Sequence, residues 1–157
     1  MAATYTHELL RKAITSRGAV RAYAPTPVPD AVLAEVLRLT QRAPTGFNVQ
    51  PYSVVVLRDQ ADREKIADAM LGPNSAKVKD APVVVVFAAD TRPSQRVPRI
   101  QRLLRDNGSP DAFVDRLPGA TLAWAYKQTT FAAATFLYAA HASGLGKFGQ
   151  SSEKIFE

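Results

Sequence analysis

The chain has 157 residues, 46% hydrophobic and 22% charged, and its 20 Lys and Arg against 14 Asp and Glu leave a formal charge of +6. That length suits one domain, spanning 1–157, that buries about 70% of the surface its unfolded form would expose. With no Cys, and His7 and His141 as its histidines, the composition excludes disulfides, thiolate metal sites, iron–sulfur ligation and a Cys nucleophile, and it supplies metal chemistry poorly.

Read in chain order, Met1 to Arg21 has one acid among several hydroxyls and bases. That is compatible with a mitochondrial presequence, and equally with a short mature helix capped by Thr6. Leu9, Leu10, Ala13 and Ile14 recur at helical spacing, so His7 to Ser16 is expected to be helical and to end at Arg17-Gly18. Alternate prolines make Ala24 to Pro29 extended. Asp30 opens a second helix whose apolar face is Val32, Leu33, Val36, Leu37 and Leu39, ending near Ala43-Pro44. Tyr52 to Leu57 reads as a strand. Asp59 to Leu71 reads as an amphipathic helix stopped by Gly72-Pro73-Asn74.

The run Pro82 to Ala89 is the most apolar stretch and is strand-length, well short of the ~20 residues of a membrane span, so a soluble protein is expected. Val83 to Phe87 within it predicts a strand buried on both faces of a helix-covered sheet. Thr91 to Pro118, cut by Pro93, Pro98 and Pro110, predicts short helices and loop. Ala120 to Ser143 predicts a long helix apolar around most of its circumference. Such a helix needs cover on all sides, which in a chain this size points to a subunit interface.

Four segments carry polar groups in informative places. Ser16 to Arg21 sets the guanidinium groups of Arg17 and Arg21 beside a small-residue turn, a pattern suited to phosphate and also to capping a helix end. Ala43 to Tyr52 places Pro, Thr, Gly, Asn and Gln between a helix and a strand, where backbone N–H groups and neutral amides face a ligand, although these are also ordinary loop residues. Asn74 and Lys77 precede Asp80-Ala81-Pro82, with Lys79 competing for the role of Lys77. Trp124 and Gln128 lie one turn apart on the long helix.

Two further patterns are set aside. Gly144 to Gly149 fits G-x-G-x-x-G but follows a helix, so it reads as a helix stop. Arg96, Arg99, Arg102 and Arg105 form a basic stripe that reads as a solvated face, with nucleic acid or a membrane surface as the rival partner.

Taken together, the four segments resemble the nitroreductase family, the FMN-dependent NAD(P)H oxidoreductases. Ala43 to Tyr52 matches A-P-S/T-x-x-N-x-Q-P-W/Y at every defined position. Arg17 and Arg21 match the basic residues of R-x-S-x-R/K, with Ala19 in place of the usual Ser. The Asn-Lys loop and the W-x-x-K/R-Q element follow in family order, so the similarity runs from about Glu8 to Leu145. The family's C-terminal segment is not recognised in the divergent tail 147–157, which the resemblance marks as a short form.

The resemblance implies an α+β fold, with a mixed, mainly antiparallel sheet surrounded by helices and a long central helix near Ala120–Ser143. It implies a homodimer with FMN between subunits, NAD(P)H as co-substrate, and ping-pong two-electron transfer to a nitroaromatic or quinone-type acceptor. By the same resemblance the cofactor-binding residues are Arg17, Gly18, Ala19, Arg21, Pro44, Thr45, Asn48, Asn74, Lys77 and Gln128, with no metal and no catalytic acid or base from the protein. Arg17 would hold the phosphate, and Arg21 and Lys77 would face the charge of the reduced ring. No nucleic acid and no membrane insertion are expected, and the location is cytoplasmic, with mitochondrial as the alternative. The alternative function is a non-catalytic short form with weak or no flavin binding.

Overall fold

Alternating prolines, two valine-rich runs and one alanine-rich helix set the architecture. The computed structural model describes residues 2–90, 92, 97–116 and 121–146, without the side chains of 2–4, 121 and 122. The first helix, α1, covers Ala2–Ser16 and leads into an extended segment through the prolines. It starts earlier than the expected His7, so Thr6 lies inside it and is not a cap. Helix α2, Asp30–Thr40, has Asp30 in its first turn, where a carboxylate complements the helix dipole. It stops at Thr40, short of Ala43, because residues 41–43 continue only as turns.

Strand β1, Tyr52–Leu57, falls where its aromatic and β-branched residues put it. Next come α3, Gln60–Asp68, and α4, Asn74–Asp80. The latter corrects the sequence reading, in which Asn74 ended one helix and opened a loop. Pro73 cannot extend α3 but fits directly ahead of a new helix, where its missing N–H is not needed. Strand β2, Val84–Ala89, pairs antiparallel with β1, Val55 opposite Val86 and Leu57 opposite Val84.

Among the described residues this is a two-stranded sheet, smaller than expected from the valine run. The expectation that β2 is buried on both faces is also corrected, since its residues are half-buried and Ala88 is exposed. Helices α5, Val97–Asp106, and α6, Asp111–Val114, occupy the proline-cut region. Of the basic stripe, Arg96 lies outside the described residues and Arg99, Arg102 and Arg105 are exposed, Arg105 bridging Asp111 and Asp115 at 2.9 and 2.7 Å.

The long helix α7, Thr121–Ala142, is the axis of the molecule. Ala125, Thr129, Ala132 and Ala139 form its buried stripe, small enough for α2 to approach with Leu33, Val36 and Thr40. The sheet packs beside them, Phe87 meeting Phe136 edge-on with ring centroids 5.5 Å apart. Among the described residues much of the rest of its circumference is only partly covered. Tyr126, Phe131, Leu137 and Tyr138 stay exposed, as do Leu9, Leu10 and Ile14 on α1. Between α1 and α7 runs an open apolar groove of about 530 Å³.

The helix stop at Gly144 is as expected. The Gly144 N–H bonds the His141 carbonyl at 3.0 Å and the Leu145 N–H reaches back to Ala140 at 2.9 Å, a closure that needs the positive φ of 79° at Gly144. Positions 147–157, where the divergent tail was read, lie outside the described residues.

Candidate functional site

The segment between α2 and β1 has an unusual backbone. Thr45 is extended, Gly46–Asn48 make one 3-10 turn, and Phe47, Asn48 and Gln50 all have positive φ, at 53°, 51° and 48°. Asn tolerates that region, whereas Phe and Gln do so at a cost of about 1–3 kcal/mol each. Strain of this kind persists where the surroundings over-determine the conformation, and here three side chains do so. The Gln128 Oε1 accepts the Gly46 N–H at 2.7 Å, the Thr45 Oγ1 accepts the Gln50 N–H at 3.1 Å, and the Gln50 Nε2 donates to the Gln41 carbonyl at 3.1 Å. Trp124 lies against Gly46 so closely that an added Cβ would sit 3.0 Å from its Nε1.

These bonds decide what the loop offers. The Thr45 oxygen already accepts from Gln50, so its own O–H remains to donate outward. The Asn48 side chain is exposed, Pro44 is exposed beside it, and buried Val49 and Pro51 anchor the far side. Such a surface offers neutral hydrogen-bonding groups and adds no charge.

Arg17 and Arg21 follow α1, with Gly18 and Ala19 exposed between them; Arg17 is half-buried and Arg21 exposed. Among the described residues neither guanidinium has an ion-pair partner, so both charges remain for an anion. This segment is tied to the C-terminal end of α7, where Ser16 Oγ meets His141 Nε2 at 2.9 Å and Val20 packs at Gly146.

Asn74 and Lys77 sit one turn apart on α4, joined by a hydrogen bond of 2.9 Å from Lys77 Nζ to Asn74 Oδ1. Lys79 instead pairs with Asp68 at 3.6 Å, which leaves Lys77 as the α4 lysine without a carboxylate partner among the described residues. The expected residues therefore form three groups. The structure joins Thr45 and its loop to Gln128, joins Asn74 to Lys77, and keeps Arg17 to Arg21 at the other end of α7. From Gln128 to His141 is 13 positions (141 − 128), or roughly 20 Å along the helix.

Sequence reasoning paired Trp124 with Gln128 on the long helix but did not bring it to the loop, where it is half-buried and lies under Gly46. Phe113 on α6 lies with its ring centroid 6.3 Å from that of Phe47, and nothing in the local sequence signals that meeting. At the start of β1, burial pushes the Tyr52 phenol up from its ordinary value. Among the described residues no cluster of His, Asp or Glu could hold a metal, and no helix is long and apolar enough to cross a membrane.

The model of the Nitroreductase family matches residues 14–155. The chain belongs to the nitroreductase family. This nitroreductase-family chain is 37% identical over 93 residues to a Cupriavidus pinatubonensis protein provisionally named NADH dehydrogenase/NAD(P)H nitroreductase, a match covering 59% of this chain and 47% of that protein. Such matches span between 38% and 60% of the length of the curated relatives.

Among solved structures, a provisionally named nitroreductase of Bacillus subtilis aligns with a TM-score of 0.66 at 22% identity, over 92% of this chain and 73% of that one. A provisionally named nitroreductase of Exiguobacterium sibiricum, solved in complex with FMN, aligns at 0.61 and 14% identity, over 85% and 70%. These likenesses establish the α+β nitroreductase fold. The family match runs past Leu145, where the motif-by-motif resemblance ends.

Proposed function

We propose that this chain is an FMN-dependent oxidoreductase that carries two electrons from NAD(P)H to nitroaromatic or quinone-type acceptors, acting as a homodimer in the cytoplasm. The observation that carries this reading is the strained Thr45–Gln50 loop, fixed on α7 and offering neutral hydrogen-bonding groups, in a chain of the nitroreductase family. The name of the Cupriavidus relative supports the nicotinamide donor, and the FMN complex of the Exiguobacterium protein supports the cofactor.

The residues fit the group. Arg17, without an acidic partner among the described residues, holds the phosphate through its planar fork. Gly18 and Ala19 keep bulk away, while Pro44, Thr45, Asn48 and Asn74 seat the ring. Arg21 and Lys77 stabilise negative charge at its edge, and Gln128 serves the site from α7. Bound FMN supplies the redox chemistry, taking hydride from the nicotinamide and returning two electrons to the acceptor in ping-pong order. The protein contributes binding, orientation and electrostatics, with no acid or base of its own.

A dimer accounts for the separation of the groups. Within one chain the loop is held at Gln128 and the segment of the arginines at His141, well apart along α7, and in the proposed dimer a second copy docked on the exposed faces of α1 and α7 would bring one chain's arginines toward its partner's loop.

The test is a visible spectrum after incubation with FMN and removal of the excess. Flavin absorbance bleached by NAD(P)H supports the reading, and a colourless, NADPH-inert protein overturns it in favour of a non-catalytic form. Arg17→Ala should weaken FMN at least ~10-fold, the scale of one charge-assisted hydrogen bond. Unchanged FMN retention would remove Arg17 from the site.

A further inference from the structure

We propose that Gln128 and Trp124 are positioning residues that act on the bound cofactor through the 45–50 loop, by clamping its backbone at Gly46. The Gln128 oxygen is committed to the Gly46 N–H at 2.7 Å, at the short end for such a bond. That contact joins positions 82 apart in sequence. Trp124 lies where a Cβ at position 46 would have to go, so glycine lets the backbone rest on the indole. Trp124 and Gln128 are i and i+4 neighbours on one face of α7, and a single helical turn delivers both contacts.

The loop is held at its far end, where Gln50 Nε2 donates to the Gln41 carbonyl at 3.1 Å and Val49 and Pro51 are buried. Asn48 N–H to the Thr45 carbonyl at 2.9 Å and Gln50 N–H to Thr45 Oγ1 at 3.1 Å define its turn, and the Gln128 bond ties the Gly46 end of that turn to α7. Phe47 and Gln50 hold left-handed backbones that other conformers would relieve. Releasing Gly46 therefore lets the strained residues relax and moves the Thr45 hydroxyl and the Asn48 amide away from where they face the ligand. A residue whose oxygen is spent on the loop works differently from one that touches the flavin, and the two are separable by experiment.

The test follows amide hydrogen exchange in the full chain without FMN, comparing wild type, Gln128→Leu and Gln128→Glu. In the Leu variant the Gly46 amide should exchange about tenfold faster, the scale of one lost hydrogen bond, with Asn48 and Gln50 following while the β1–β2 strand amides keep their protection. Glu keeps an acceptor oxygen and should restore protection. Gly46→Ala should loosen the same amides in the wild-type background and much less in a Trp124→Phe background, where the smaller ring makes room.

Unchanged Gly46 exchange in Gln128→Leu, equal acceleration of the strand amides, or no rescue in either pair would overturn the proposal. FMN affinity is the second readout and rests on the reading above: Gln128→Leu should weaken it about tenfold at an unchanged strand exchange rate, and Gln128→Glu should not. Loop exchange that responds as expected in a protein that never takes up FMN leaves the clamp standing and removes the cofactor reading alone.

Discussion

Tyr52 begins β1 directly after the loop, and its side-chain oxygen is buried with no hydrogen-bond partner among the described residues. A partnerless buried hydroxyl costs about 1–3 kcal/mol, so Tyr52→Phe should leave the urea midpoint unchanged or higher. A lower midpoint would mean that the hydroxyl is satisfied. Burial also disfavours the phenolate, which raises the folded-state pKa above the unfolded value near ~10. The corresponding stability is complete below the unfolded pKa and is lost as pH rises through it toward the folded one. Wild type should therefore lose more stability than Tyr52→Phe between about pH 8 and about pH 11, and equal losses would contradict the shift. The turn itself was legible: Pro44, Thr45, Asn48 and Gln50 are turn residues between a helix and a strand, and a turn is what stands there. What each does was not, because Gln128 finds Gly46 across 82 positions and no local pattern records that meeting.

Elements were legible where local physics decides them and not where partners do. Strand β1 falls on Tyr52–Leu57, and α7 ends within one residue of its expected limits, because alternation, β-branching and a glycine stop are local signals. Helix α4 escaped because seven residues after Gly72-Pro73 look like a turn until packing on α3 makes them worth ordering. The burial of β2 was overestimated because a valine run states that cover is wanted, and how many strands supply it is settled far away in sequence. The stop of α7 gives a clean element-scale prediction. Gly144 has φ of 79° and open space where a Cβ would go, so Gly144→Ala should destabilise by about 1 kcal/mol through backbone strain alone. Gly144→Asn, which accepts the left-handed region more readily, should cost less. Thermal denaturation of the two variants checks the order, and equal costs would show that the closure is not limited by φ.

At the scale of the whole molecule, the extent of uncovered apolar surface matters more than any single contact. Helix α1 is fixed at its end by Ser16 and His141, while Leu9, Leu10 and Ile14 stand about half exposed and continue across the groove to Tyr138 on α7. A continuous patch of that kind on an isolated chain marks an interface. Gln128, which holds the loop, and His141, which meets Ser16 ahead of the arginines, lie roughly 20 Å apart along α7, so in the dimer proposed above one event, the docking of a second copy, would cover the apolar face and complete the site. Leu10 is the residue on which to test this, because it is 59% exposed, lines the groove and lies seven positions from Arg17 (17 − 10). Leu10→Glu should leave helix content by circular dichroism unchanged, since the monomer does not bury that side chain. In sedimentation it should shift the chain from dimer to monomer, because a carboxylate placed in an apolar interface has no partner. FMN affinity should fall with the dimer and recover at high protein concentration, as mass action requires. A Leu10→Glu monomer that binds FMN as tightly as the wild type would show that each chain completes its own site, and the arginines and the loop would then belong to different functions.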